Sequence, residues 1–103
     1  MGNLGFPFRP YHPGELIKEE LECRHLSQRR LALILGISYS MLNEILNGKR
    51  TVTTDFALLM EAALGVSSNL LLRMQVSYNI QTASQDVTLS QRLAEVRKIC
   101  AVL

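Results

Sequence analysis

The sequence predicts an all-α fold, with five short helices in one small domain and an additional helix at the C-terminal end. Three observations carry that expectation. Apolar residues recur at three- and four-residue spacings, the pattern of helices that bury one face. Three of these stripes open on Ser or Thr and close on Gly, residue types that satisfy helix ends. A chain of 103 residues, 48% apolar and 19% charged, has the size and composition of one folded domain with a single core.

FPFRPYHPG, residues 6–14, holds all three prolines and reads as an extended arm, bounded at residues 1–12, with Pro13 suited to the first turn of a helix. ELIKEELECR then sets Leu16, Ile17 and Leu21 on one face and acids on the other, with Glu15 and Glu19 near the positive end of the helix dipole. Ser27 is the expected N-cap of QRRLALIL, where Leu31, Ala32 and Leu35 share a side and Gly36 stops the helix. Ser38 caps a third helix that buries Leu42, Ile45 and Leu46 and ends at Asn47 and Gly48.

Thr53 or Thr54 opens a fourth helix whose stripe is Phe56, Leu59, Met60, Ala63 and Leu64, closed by Gly65. Ser67 or Ser68 starts a fifth, reaching about Ile80, so that the helical domain takes residues 13–80. The polar stretch QTASQDVT reads as a linker, residues 81–89, before a C-terminal helix at 90–103. Leu89, Leu93, Val96, Cys100 and Leu103 form a stripe there beside Arg92, Arg97 and Lys98. That stripe either folds back on its own domain or meets a dimer or partner surface.

Several function classes fall away. No apolar run approaches the eighteen or so residues of a membrane helix, and the start lacks the basic stretch and apolar core of a signal peptide, so a cytoplasmic protein is expected. MGNLGF begins like an acylation signal, but Phe6 stands where that pattern wants Ser or Thr. Cys23 and Cys100 are two, far apart and without CxxC spacing, which predicts buried, inert thiols rather than a metal site or a disulfide framework. His12 and His25 form no cluster, no Ser, His and Asp grouping stands out, and no Gly-rich phosphate loop occurs. Neither an enzyme nor a cofactor is expected.

A net charge of +2 is too small to imply a nucleic-acid partner by itself. Its distribution says more. Residues 24–50 hold five basic residues, Arg24, Arg29, Arg30, Lys49 and Arg50, against one acid, Glu44, whereas residues 15–22 hold four acids against Lys18. A basic patch therefore centres on the second and third helices. Those two helices, joined by about three residues with glycine, have the helix-turn-helix arrangement. Its packing asks for a small residue at the close crossing, met by Ala32, and for plugs in the angle between the helices, met by Ile37, Leu42 and Ile45.

LSQRRLALILGISYSMLNEILNGKR resembles the helix-turn-helix of Cro and lambda-repressor type domains, an XRE-like pattern. More narrowly, residues 11–80, with HPGE ahead of the domain and NGKR after the third helix, are similar to the HigA family of bacterial antitoxins, also called VapI-like. The resemblance implies a five-helix lambda-repressor-like DNA-binding domain, usually dimeric, acting as a transcriptional repressor of its own operon. It also implies neutralisation of a HigB toxin, a RelE-like ribonuclease that cleaves messenger RNA.

On that reading the polar face of the third helix enters a major groove of double-stranded DNA, at an operator with an inverted repeat read by a homodimer. Tyr39, Ser40 and Asn43 are the expected base contacts, with hydroxyls in the first turn and an amide that can pair both edges of an adenine. Gln28, Arg29, Ser38, Asn47, Lys49 and Arg50 are the expected phosphate contacts. Glu44 repels phosphate and is expected to pair with a nearby cation. Two rivals stay open: a free-standing plasmid or phage regulator without a toxin, and an interaction module that has kept the fold but lost DNA binding.

Overall fold

The computed structural model describes residues 10–103 and contains six helices: α1 (Pro13–Arg24), α2 (Gln28–Leu35), α3 (Tyr39–Leu46), α4 (Thr54–Leu64), α5 (Ser68–Ser84) and α6 (Val87–Cys100). The all-α expectation holds, as five helices and a sixth. One compact unit spans Tyr11–Val76 and a second contains Ser77–Leu103. The MGNLGF segment and most of the expected arm lie outside the described residues.

Side-chain caps fix where the helices of the first unit begin. Ser27 accepts from Arg30 N–H at 3.1 Å, Ser38 from Met41 N–H at 3.0 Å, Thr53 from Phe56 N–H at 3.2 Å, and Ser67 from Leu70 N–H at 3.1 Å. Each satisfies a donor that has no partner inside its own helix, a contribution of about 1 kcal/mol. Gly36 ends α2 at φ 71°, in the left-handed region that would strain a side chain, and so lets α3 leave at a new angle after only Ile37 and Ser38.

α3 packs on both α1 and α2, and α4 packs on α2. Ile17, Leu31, Leu42, Leu46, Ala57 and Met60 are fully buried in the core they share, which Leu71 joins from α5. Ala32 is buried in the core, and Ile37 is half-buried against it. The loop before α4 is pinned from α5, where the buried Gln75 Oε1 accepts Val52 N–H at 2.9 Å.

Four expectations need correction. The linker at 81–89 is mostly helix: 81–84 form the last turn of α5 and Val87 to Leu89 the first turn of α6, leaving Gln85 and Asp86 as the turn. The segment is polar but contains no Gly or Pro, so α5 runs on to Ser84, and α6 starts where Asp86 Oδ1 accepts Leu89 N–H at 2.9 Å. Second, Leu59 is 39% exposed and Ala57 takes the buried place instead. Residues 56–60 of α4 are all apolar, so spacing alone could not set the phase of the stripe.

The third correction concerns both cysteines, which are exposed. Cys23 lies two residues beyond buried Leu21, about 200° round the helix, and α6 has no buried residue at all. Fourth, His12 is not part of a free arm. It is 3% exposed and is the N-cap of α1. None of the described helices is long and apolar enough to cross a membrane.

Candidate nucleic-acid interface

α3 carries the site because its own amphipathicity divides it. Leu42, Ile45 and Leu46 are buried and anchor it, while Tyr39, Ser40 and Asn47 remain exposed and Asn43 and Glu44 are half-buried at the boundary. The Ser38 hydroxyl is used as the cap of α3, which spends its acceptor on Met41 N–H and leaves its proton to donate.

Across the turn, the guanidinium of Arg29 lies 4.8 Å from the centroid of the Tyr39 ring, a cation–π contact that ties the first turn of α2 to the first turn of α3. The expected phosphate residue and the expected base residue are thus neighbours. Asn43 Nδ2 donates to Gln28 Oε1 at 3.0 Å, bridging the same two helices one turn further on. Asn47 Nδ2 donates to Asn43 O at 2.9 Å and to Asn43 Oδ1 at 3.1 Å. Asn43 therefore faces its own protein as well as solvent, keeping one amide N–H and one carbonyl lone pair.

Glu44 pairs with Arg50, Oε1 to Nη2 at 2.7 Å and to Nε at 2.9 Å. The expected pairing of Glu44 is found, and its partner is one of the expected phosphate contacts. With both side chains about half exposed, the pair adds little stability, but it offsets a carboxylate that would repel DNA. Arg24 is drawn elsewhere, to Glu20 at 3.0 Å and to the Leu64 carbonyl at 2.7 Å, and leaves the basic patch. Arg29, Arg30 and Lys49 are exposed and remain in it.

The segments HPGE and NGKR, distant in sequence, meet at the end of α3. Gly14 lies so close to α3 that a Cβ there would collide with the Ile45 carbonyl oxygen. Only a residue without a side chain lets the two backbones approach. His12 Nδ1 accepts from Gly14 N–H at 2.9 Å, and its ring packs on Gly48, where a Cβ would be 3.6 Å from Cγ. A further hydrogen bond joins the His12 ring to the backbone of Arg50. Since Nδ1 is the acceptor, the ring is neutral and Nε2–H is the donor to the Arg50 carbonyl. Burial holds the His12 pKa below its ordinary 6.5, against the opposing influence of Glu15 and of the Arg50 bond.

Two residues of this site were not legible in the sequence. His12 stands in the HPGE segment of the resemblance, but nothing in the sequence marks it as the N-cap of α1, ahead of Pro13 in the first turn. Lys18, from the acidic run, donates to Asn47 Oδ1 at 2.8 Å and joins α1 to the end of α3. Only its being the one cation among four acids could have drawn attention to it.

The helix-turn-helix family model matches residues 17–71, from within α1 to within α5. Virulence-associated protein I of Dichelobacter nodosus is 40% identical over 76 residues, covering 73% of this chain and 70% of that protein. Among solved structures, an addiction module antidote protein of the HigA family from Coxiella burnetii superposes with a TM-score of 0.75 at 32% identity, over 85% of this chain and 95% of the other. The antitoxin HigA of Pseudomonas aeruginosa, solved with the higBA promoter, superposes at 0.69 with 30% identity, over 74% and 84% of the two chains. With its caps, turn and buried core all in place, the chain belongs to the helix-turn-helix family and, within it, to the HigA-like group with virulence-associated protein I.

Proposed function

We propose that this protein is a sequence-specific DNA-binding repressor, the antitoxin of a HigB-HigA type module. The observation that carries the reading is the exposed first turn of α3 with Arg29 stacked on Tyr39, and exposed Lys49 just beyond the far end of the same helix. A short helix anchored by its apolar side and flanked by cations fits a major groove between two phosphate backbones. The relative from Pseudomonas aeruginosa, solved with its promoter, supports the same use of the fold.

In this reading Tyr39 and Ser40 offer hydroxyls to base edges, and Asn43 uses its remaining N–H and lone pair. Gln28, Arg29, Ser38, Asn47, Lys49 and Arg50 hold the sugar-phosphate backbone, Arg50 by exchanging Glu44 for a phosphate. The protein works in the bacterial cytoplasm as a two-fold dimer on an inverted repeat and, as an antitoxin, sequesters a RelE-like ribonuclease. It catalyses no reaction and needs no cofactor.

Selection of duplexes from a random pool by the purified protein tests the reading. The expected result is an inverted repeat, protected in footprinting over two major-groove faces, in the promoter ahead of the gene. Recovery of no sequence above background would leave an interaction module without DNA binding. A selected operator with no toxin-sized reading frame beside the gene would leave a free-standing regulator.

A further inference from the structure

We propose that Lys18 is a positioning residue that, together with the Asn43 backbone carbonyl, holds the polarity of the amide chain on the DNA-facing surface; the proposal rests on the DNA-binding reading above. Three carboxamides run in series from the head formed by Lys18. Lys18 Nζ donates to Asn47 Oδ1, Asn47 Nδ2 donates to Asn43 Oδ1, and Asn43 Nδ2 donates to Gln28 Oε1, at 2.8, 3.1 and 3.0 Å. An ammonium group can only donate, so the carbonyl end of Asn47 has to face α1. Every later amide is then fixed in turn, because turning any one of them over would set donor against donor and acceptor against acceptor.

The alternative order has all three amides reversed. Gln28 would then donate to Asn43, Asn43 would donate to Asn47, and the amino group of Asn47 would be directed at α1. The cation at the head opposes that state together with the Asn43 backbone carbonyl, which accepts from Asn47 Nδ2 at 2.9 Å in the observed one.

The difference matters at the DNA. In the observed state both N–H groups of Gln28 are left to donate, as a phosphate requires. In the reversed state its carbonyl oxygen would repel phosphate. Asn43 would also exchange the places of its donor and acceptor, and a base edge is recognised by that order. Lys18 is poorly placed to act as a phosphate anchor itself. It lies among Glu15, Glu19, Glu20 and Glu22 in sequence, and it is half-buried with its head group bonded to Asn47.

The test compares the parent, Lys18→Met and Lys18→Arg on two duplexes, the one that the parent selects from a random pool and a scrambled version of it, over a range of salt. Side-chain amide resonances of Gln28, Asn43 and Asn47 are followed in the DNA-free proteins by NMR. Met keeps helix propensity and length, and melting temperatures verify folding. Lys18→Met is expected to lose about five- to a hundredfold of the preference for the selected duplex, with an unchanged salt slope and displaced amide resonances. Lys18→Arg, also a pure donor, is expected to restore both.

A Lys18→Met protein that keeps its preference while its salt slope drops by about 0.9 for each protomer's lost contact would make Lys18 a phosphate contact and overturn the proposal. So would amide resonances that stay where they are in the parent. A parent with no preference between the duplexes would instead sink the DNA-binding reading, a result separate from either of these.

Discussion

His12 works as a neutral ring, accepting at Nδ1 from Gly14 and joined to the Arg50 backbone, so its protonation sets an acid limit on the contact between α1 and the loop after α3. Burial lowers its pKa below the ordinary 6.5. The unfolded chain therefore takes up the proton first as pH falls. The stability His12 contributes is complete above about 6.5 and is lost as pH drops through the lower folded value. His12→Asn keeps a side-chain acceptor for the cap but cannot titrate. It is expected to melt below the parent at neutral pH, by about 1–3 kcal/mol for the lost ring and its bond, and to lose less on acidification. Parallel losses in the two proteins would exclude His12 as the titrating group. Asn43→Ala tests the other boundary residue. Helix propensity alone would make the change harmless, but Asn43 bridges α2 and α3, so about 1 kcal/mol of stability should go with the bond to Gln28. Affinity for the operator should fall by about 1–3 kcal/mol while binding to unrelated DNA holds. Equal operator affinity would remove Asn43 from recognition. Leu42→Ala, emptying a fully buried site, is expected to cost about 2–5 kcal/mol of stability. At this scale the sequence shows what is local. The Ser27 and Ser38 caps and the left-handed Gly36 depend on neighbours within four residues. The Lys18–Asn47 bond, 29 residues apart, depends on how α1 crosses α3, and no spacing records that.

The helices themselves were legible wherever a stripe and a stop occurred together. α2 and α3 have both, and their bounds follow from the residues alone. α4 has a stop but hardly a stripe, because apolar residues surround it, and its phase was misjudged at Leu59. Between α5 and α6 there is polarity without a stop, and polarity alone does not end a helix. Within α6, Leu89, Leu93, Val96 and Ile99 are exposed at 36%, 40%, 49% and 63%, and no residue is buried. The core of the Tyr11–Val76 unit is complete without it. Removing residues 90–103 is therefore expected to leave the melting temperature of the remainder within a few degrees of the parent's, while changing either the oligomer mass or the capture of a RelE-like toxin. Light scattering and pull-down measure the two. If both stay the same and the melting temperature falls, the helix is a structural cover and has no role in association.

Across the whole molecule, a net charge of +2 gives little long-range pull toward DNA, so affinity depends on where the cations stand. Arg24 is occupied at the Leu64 carbonyl and Arg50 is offset by Glu44, while Arg29 stands against α3 and Arg30 and Lys49, in the elements on either side of it, are exposed. One domain with so few contacts would hold an operator weakly. Two domains related by a two-fold axis double the contacts and require half-sites about 10 base pairs apart, or a multiple of that. A dimer neutralising on the order of six phosphates should show a log-log dependence of affinity on salt with a slope near −5. Lys49→Ala should weaken binding to operator and random duplex alike and reduce the slope by about one for each protomer's lost contact. Moving the selected half-sites apart by about 5 base pairs, half a turn, should abolish dimer binding, and a full turn should restore part of it. A flat salt response would mean that the basic surface does not meet phosphate, and an affinity indifferent to half-site spacing would mean that each domain binds alone.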